Sequence, residues 1–307
     1  MLEHSTLDSL FSTYFDAWGV ARIESIDNEI THLKKWLSHN YHGDMLYLTR
    51  NIDLRANPCE LLPGAKSMIM VLMNYYPHKW QLDNSPRIAA YAYGNDYHHI
   101  VKSKLTQIAE EINNLIPHKY SVFCDSAPVM ERVWASKAGL GWIGRNGMLV
   151  NPKLGTFTFI GTLITTLELE SSTPMENHCG TCKRCIEACP TNAIHKNKTI
   201  DARRCLSYQT IEKHGDMDEE LFDLAGNTLY GCDRCQLVCP WNRFAKPHNH
   251  PELMPIDGIF EIDWSTISRS EFNKHLKFSP MQRAGLKKIK SRYNQIIKDN
   301  KLNPEHL

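Results

Sequence analysis

The spacing of the cysteines constrains this chain more than any other sequence feature. Eight of the ten cysteines lie between Cys179 and Cys239. The first run reads Cys-x2-Cys-x2-Cys-x3-Cys-Pro from Cys179, and the second reads Cys-x2-Cys-x3-Cys-Pro from Cys232. In runs of this kind, three thiolates of one loop hold one 4Fe–4S cluster, and the cysteine before the proline ligates the other cluster. The spacing therefore predicts two 4Fe–4S clusters.

The same rule divides the eight cysteines into two sets. The first set is Cys179, Cys182, Cys185 and Cys239, and the second set is Cys189, Cys205, Cys232 and Cys235. Structural zinc is the alternative, although zinc sites usually pair two Cys-x2-Cys units and fit this pattern poorly. Cys59 and Cys124 lie outside both sets, and we expect them to be small buried apolar side chains.

Composition narrows the class of protein further. The chain has 307 residues, 42% of them hydrophobic, and a formal net charge of +1. These values exclude a disordered chain, a coiled coil and a uniformly basic nucleic-acid binder. No secretory signal and no apolar run of membrane-spanning length is present, so we expect a cytoplasmic protein without a membrane partner. In a reducing compartment, clustered cysteines indicate metal binding rather than disulfides.

Hydrophobic periodicity predicts an α+β fold. Apolar runs at 67–76 and 157–166 indicate strands, residues 121–124 indicate a shorter strand, and the 3.6-residue period over 99–115 indicates a helix. We expect a first domain at 1–170, a cysteine domain at 171–250 and a helical segment at 251–307. A basic helix over 281–301 ends the chain, either as a solvated face or as a contact for RNA phosphates.

The first domain contains three candidate sites. Gly139–Gly144 matches G-x-G-x-x-G, but a charged, helix-like segment precedes it, so a dinucleotide site is not expected. Asp125 follows the short strand. It is either a turn residue or a carboxyl group at the mouth of a pocket, where burial beside an apolar cofactor would raise its pKa and make it a general acid. Tyr97 and His98 precede the 99–115 helix and are weaker candidates for the same pocket.

Several ordered segments together resemble the epoxyqueuosine reductase family. They are Arg55 with LLPGAKS at 61–67, YGNDYH at 93–98, DSAPVMER at 125–132, AGLGWIGRN at 138–146 and both cysteine runs. The cysteine runs alone are unspecific, whereas their combination with the DYH and DSAPVMER segments is highly specific. The resemblance covers roughly residues 50 to 250.

The resemblance implies a nitroreductase-like cobalamin-binding domain, then a ferredoxin-like module with two 4Fe–4S clusters and a short helical C-terminus. It implies reduction of epoxyqueuosine to queuosine at the wobble position in the anticodon arm of tRNA. Electrons would pass from a small donor protein, such as a flavodoxin or ferredoxin, through the clusters to cobalamin. Asp125 would be the proton donor. The implied cobalamin contacts are Arg55, Ala89, Asp125, Leu149, Ile160 and, less firmly, Tyr97 and His98.

Two other functions remain open from the sequence. A cytosolic reductive dehalogenase would use the same cofactors on a small organohalide, and an electron-transfer ferredoxin fused to a binding domain would use the clusters alone. One departure from the family concerns RNA binding. Longer members carry a HEAT-like extension that helps to hold tRNA, whereas this sequence offers only the basic helix at 281–301 as its counterpart.

Overall fold

The structure is a computed structural model that describes residues 3–82 and 85–298. Its strands are β1 (Ala17–Arg22), β2 (Ser67–Asn74), β3 (Arg87–Ile88), β4 (Tyr120–Phe123), β5 (Trp142–Ile143), β6 (Leu149–Val150), β7 (Thr158–Thr165) and β8 (Thr228–Tyr230). Its α-helices are α1 (His4–Ser12), α2 (Asp27–Ser38), α3 (Ile52–Ala56), α4 (Tyr97–Leu115), α5 (Glu131–Lys137), α6 (Arg184–Glu187), α7 (Leu206–Ile211), α8 (Phe222–Ala225), α9 (Arg234–Leu237), α10 (Arg269–His275) and α11 (Gly285–Lys298).

A four-stranded antiparallel sheet in the order β1-β2-β7-β4 forms the centre of the first part of the chain. Strand β2 is buried along its whole length. Its side chains alternate between two cores: Ile69 and Val71 face the core that α4 lines, and Met68 and Met70 face the core that α5 lines. Because a strand points successive side chains to opposite faces, a continuous apolar run here indicates helices on both sides of the sheet.

Gly161 allows α4 to lie close to β7. A Cβ atom at Gly161 would lie 2.5 Å from Cγ1 of Val101 and 2.8 Å from Cδ1 of Leu105, both on α4. Any larger residue would therefore push the helix away from the sheet. This close packing fixes the first turn of α4 beside the end of β4, where Asp125 lies.

The cysteine region is joined to the first part of the chain by the parallel pair β3 and β8. Helices α6 and α9 lie within the two cysteine runs, where they carry Cys185 and Cys235, and they pack against each other. Strands β5 and β6 form a separate two-stranded sheet, and the G-x-G-x-x-G segment lies between α5 and β6. Since a helix rather than a strand leads into that segment, its context is not that of a dinucleotide site.

The C-terminal helices share a core with α4. Phe272 on α10 and Ile289 and Ile296 on α11 belong to the same buried cluster as Val101 and Phe11. The C-terminal segment is therefore packed against the first part of the chain as well as against the cysteine region. No helix of the described residues combines the length and the apolar character that crossing a membrane requires.

The structure confirms the mixed α and β content and the predicted elements around β2, β4, β7 and α4. Two predicted helices differ in their limits. The helix expected over 99–115 already begins at Tyr97, and the basic helix expected from 281 begins at Gly285 after a 3-10 turn over Pro280–Arg283. The end of the predicted basic helix, with Lys301, falls outside the described residues.

Candidate active site and cysteine sets

Asp125 lies just beyond β4, where the chain turns toward α5. Its φ is +57°, in the left-handed region that an aspartate seldom adopts. Its backbone N–H donates to both carboxyl oxygens of Glu131, each 3.0 Å away. The Thr162 hydroxyl donates to the same carboxyl group at 3.3 Å. Glu131, the first residue of α5, therefore holds the turn that presents Asp125.

The first turn of α4 faces the Asp125 side chain. The Tyr97 hydroxyl donates to Oδ2 of Asp125 at 2.9 Å, and Nε2 of His98 lies 3.3 Å from the same oxygen. Nδ1 of His98 lies 2.6 Å from Oδ1 of Asp96, which also caps the helix by accepting the His98 backbone N–H. The imidazole thus lies between two carboxylates, and both ring nitrogens donate when it is protonated.

These contacts set the protonation states of the group. Burial alone would lower the pKa of His98, but its hydrogen bonds to Asp125 and Asp96 outweigh burial and raise the pKa to about 9. The hydrogen bond from His98 is the largest influence on Asp125 and lowers the pKa of that carboxyl group, with a further contribution from Tyr97. At neutral pH the site therefore contains an imidazolium beside an ionised aspartate.

This result differs from the raised pKa that the sequence suggested for Asp125. The side chain of Asp125 is 65% exposed, and its two hydrogen-bond donors favour the charged form more than the surrounding protein disfavours it. The buried acid is instead Glu131, whose pKa burial raises to about 8 with a further contribution from the charge of Asp125. Sequence reasoning did not single out Glu131, although it belongs to the same DSAPVMER segment.

Aromatic side chains connect the Asp125 group to the cysteine region. The Tyr97 ring stacks on Phe159 with centroids 4.0 Å apart. The Tyr91 ring lies 6.3 Å from that of Tyr97 and 6.0 Å from that of Tyr230. Because Tyr230 is two residues before Cys232, this row of rings joins Asp125 to the second cysteine run.

The other residues named by the resemblance lie on several elements. Arg55 lies on α3, and its Nε is buried without a hydrogen-bond partner in the described part of the chain. The Ala89 N–H donates to the Tyr230 carbonyl oxygen at 2.8 Å, beside the second cysteine run. Leu149 lies on β6 in the core that α5 lines. The Ile160 carbonyl accepts from the Cys124 thiol at 3.3 Å, next to Asp125.

The first set of cysteines lines one cavity. Cys179, Cys182, Cys185 and Cys239 all face it, together with Trp241. Burial raises the pKa of Cys185, and the thiolates of the other three cysteines raise it further. The fold therefore brings Cys239 to the run that begins at Cys179, as the sequence rule requires.

The second set forms a separate group. Burial raises the pKa of Cys235 well above its usual value, and thiolates at Cys232, Cys205 and Cys189 contribute to that rise. Within residues 3–82 and 85–298, no three His, Cys, Asp or Glu side chains converge as a single metal ion requires.

The remaining two cysteines differ in burial. Cys124 is completely buried, as expected of a small apolar side chain, and belongs to the core that α4 lines. Cys59 is only partly buried, and its thiol lies 3.6 Å from the Ala65 carbonyl oxygen.

The basic C-terminal helix uses several of its cations to hold its own position. Lys288 donates to the carbonyl oxygens of Lys213 and Gly215, and Lys290 donates to that of Ser265 at 3.2 Å. Arg292 also donates to the carbonyl oxygens of Thr228 and Gly226, and Arg283 donates to the Glu212 carboxylate. Within the described residues, Lys287 and Lys298 are exposed cations of the predicted phosphate-binding stripe, and Arg283, which is also exposed, is paired with Glu212.

Comparisons with known proteins agree with this arrangement. The profile described as "Epoxyqueuosine reductase QueG, DUF1730" matches residues 55–126, and that of a 4Fe-4S double cluster binding domain matches residues 178–242. The epoxyqueuosine reductase of Leadbetterella byssophila is 43% identical over 279 residues, which cover 90% of this chain and 92% of that protein. The Pseudomonas aeruginosa enzyme is 38% identical over 88% of this chain and 78% of its own length.

Solved structures extend the comparison to the fold. An epoxyqueuosine reductase in complex with an epoxyqueuosine-modified stem loop of tyrosine tRNA is 27% identical and superposes with a TM-score of 0.86, covering 95% of this chain and 80% of that one. The Streptococcus thermophilus enzyme, also 27% identical, gives a TM-score of 0.83 over 95% of this chain and 79% of its own. With its double-cluster region, its matched reductase segment and relatives of about 40% identity along most of its length, this chain belongs to the epoxyqueuosine reductase family of oxidoreductases.

Proposed function

We propose that this chain reduces epoxyqueuosine to queuosine in tRNA, with two 4Fe–4S clusters and cobalamin as cofactors. The observation that carries the proposal is the group of Asp125, Tyr97 and His98, which combines a carboxylate with two proton-bearing partners. Removing the oxygen of an epoxide to leave a carbon–carbon double bond consumes two electrons and two protons and releases water. The site must therefore supply protons to a leaving oxygen.

Asp125 is the group proposed to pass the proton to that oxygen. A carboxyl group with a lowered pKa is a strong acid when protonated, but it is seldom loaded at neutral pH. The His98 imidazolium, whose Nε2 is 3.3 Å from Oδ2 of Asp125, is a proton source within reach of the carboxylate. Glu131 keeps the carboxyl group in place by holding the backbone of Asp125.

The residues named above as cobalamin contacts fit the bound cofactor in one specific respect. The buried Nε of Arg55 has no protein acceptor among the described residues, and a buried donor without a partner is costly unless a ligand satisfies it. Cobalamin carries amide and phosphate acceptors. Arg55, Ala89, Leu149 and Ile160 would hold it. When bound, it would supply a low-valent cobalt centre for reduction of the epoxide.

The positions of the two cysteine sets support electron transfer toward the Asp125 site. The second set lies near Ala89 and Ala90, since the Ala90 N–H donates to Oδ2 of Asp233 at 2.7 Å, beside Cys232. The first set lies near Trp241 and the surface. We therefore propose that electrons enter at the first set and leave from the second.

The tRNA substrate is proposed from the family and from one exposed feature. One related reductase has been solved with an epoxyqueuosine-modified tRNA stem loop. In this chain, Tyr47 is 46% exposed, and the Arg283 guanidinium carbon lies 5.8 Å from its ring centre. An exposed aromatic ring beside an arginine suits stacking with an unpaired base. The charge of Asp125 contributes to the raised pKa of Tyr47, so the two side chains are near each other.

Turnover with purified protein tests the proposal. Protein loaded with iron–sulfur clusters and cobalamin, under a strong chemical reductant, should convert epoxyqueuosine to queuosine in a tRNA anticodon stem loop, as measured by mass spectrometry of the digested nucleosides. Protein without cobalamin should form no queuosine. Halide release from organohalides, with no queuosine formed, would instead indicate a dehalogenase.

We also expect a specific pH dependence. Because the pKa of His98 is raised to about 9 from 6.5, its imidazolium contacts stabilise the folded protein fully below about pH 6.5 and are lost as the pH rises through about 9. The rate of queuosine formation should fall over the same upper range, because the proton source for Asp125 is lost. His98→Gln should lower the rate and remove this limb of the pH–rate profile. An unchanged limb in that variant would exclude His98 as the group that titrates.

A further inference from the structure

A shallow open groove lies on the surface of the cysteine region, between α6 and α9, the short helices within the two cysteine runs. Arg184 and Glu187 of α6 form one side, and Leu237 of α9 forms the other. Cys239, a member of the first cysteine set, also lines it. The groove therefore borders directly on a residue proposed to hold the first cluster.

The groove combines exposed apolar side chains with positive charge. Leu237 is 43% exposed and Phe244 is 46% exposed, and the Arg243 guanidinium carbon lies 4.5 Å from the centre of the Phe244 ring. Arg184, which lines the groove, and its chain neighbour Lys183 are also exposed. Within the described residues, none of these three cations has an ion-pair partner, so their charge is available to a binding partner.

The position of the groove relative to the two cysteine sets indicates where electrons from an external donor would enter. The row of rings from Tyr230 to Tyr97 connects the second set to the Asp125 site, whereas the groove borders the first set at Cys239. Electrons that reach the Asp125 site through both clusters must enter at the cluster farther from that site. The groove is thus located where an external reductant would approach.

We propose that this groove is the docking site of a small, acidic electron-transfer protein that reduces the cluster held by the first cysteine set. The inference rests on the proposed function, which requires two electrons for each epoxide. Each encounter oxidises the carrier by one electron and reduces the cluster by one electron, so two encounters supply one turnover. The two protons enter separately through the Asp125 group.

The chemistry of the groove fits this class of partner. Transient redox complexes bury little surface, usually less than about 1,200 Å², so a small apolar centre with a charged rim is sufficient. Opposite charges across such an interface accelerate association more than they strengthen it. Rapid release follows, which suits a carrier that must bind twice in each cycle.

Stopped-flow reduction of the cluster-loaded protein tests the docking site without RNA. The double variant Lys183→Glu/Arg243→Glu should be reduced by flavodoxin hydroquinone at least about tenfold more slowly at low ionic strength, with the difference shrinking as salt screens the charges. Reduction by methyl viologen, a small dye that needs no protein interface, should not slow. Lys34→Glu, an exposed substitution on α2, is the charge control and should leave both rates unchanged.

Three outcomes would overturn the docking site. The first is reduction of the double variant by flavodoxin at the unaltered rate, and the second is loss of affinity for RNA in that variant with an unchanged flavodoxin rate. If both reductants reduce the double variant more slowly because its clusters are damaged, the Phe244→Ala variant replaces it in the test. An unaltered rate of reduction by flavodoxin in that variant is the third outcome and would reject the site. Queuosine formation under methyl viologen is measured separately, so failure of the proposed function is distinguishable from failure of the docking site.

Discussion

Replacing Asp125 with alanine should lower the rate of queuosine formation by about 10² to 10⁴-fold, the range that a positioned proton donor contributes. Both clusters, bound cobalamin and affinity for the RNA stem loop should be retained. The reason is local: Oδ2 of Asp125 is the atom that both the Tyr97 hydroxyl and the His98 imidazole contact. Without the carboxyl group, neither Tyr97 nor His98 can pass a proton through residue 125 to the leaving oxygen.

Two matched variants sharpen this prediction. Asp125→Asn keeps the size of the side chain but cannot transfer a proton, so it should lose as much activity as the alanine variant. Ser126→Ala changes the exposed neighbour in the same turn and should leave the rate close to that of the wild type. Full activity of Asp125→Ala would show that another group protonates the leaving oxygen.

Removing one cysteine from either set should abolish turnover with a protein electron carrier, because each cluster is a required step of the proposed pathway. The pattern of losses is the stronger test. Cys179→Ser and Cys239→Ser should perturb the same cluster, although the two residues lie at opposite ends of the cysteine region. Cys205→Ser and Cys235→Ser should perturb the other cluster. Electron paramagnetic resonance of the reduced proteins, with iron content, would assign each signal.

A substitution outside both sets provides the control for this series. Cys59→Ser should retain both signals, since that thiol is only partly buried and contacts the Ala65 carbonyl oxygen rather than another cysteine. A common signal lost in Cys179→Ser and Cys189→Ser but kept in Cys239→Ser would contradict the division into sets. The ligands would then be grouped by runs, not across them.

Much of the central sheet could be predicted because its strands are long and apolar. Strand β2 is a continuous apolar run and helix α4 carries a clear 3.6-residue period, and both were predicted within a few residues. Strand β1 gave no such signal, since it is six residues long and contains Gly19. It forms because its backbone pairs with β2, and Gly19 is required there: a Cβ atom at that position would lie 2.1 Å from the Ala138 carbonyl oxygen.

The candidate site could likewise be predicted only in part. The cysteine spacing singled out eight candidate ligands, whereas the local pattern left Asp125 open between a turn residue and a pocket carboxyl group until the family resemblance favoured the second. The protonation state of Asp125 could not be read from those motifs, because it depends on His98 and Tyr97, which α4 brings to it from an earlier part of the chain. The role of Glu131 was hidden for the same reason, since it acts on the backbone of a turn and not on a side chain.

The shared core has a consequence for how the protein is made. Ile289 and Ile296 of α11 complete the buried cluster to which Phe11 and Val101 also belong. This core therefore cannot close before α11 has left the ribosome. All eight cysteines of the two sets emerge earlier in synthesis. The cysteines are therefore available to iron and sulfide while this core is still open, and cluster insertion at that stage requires no folded core to be reopened.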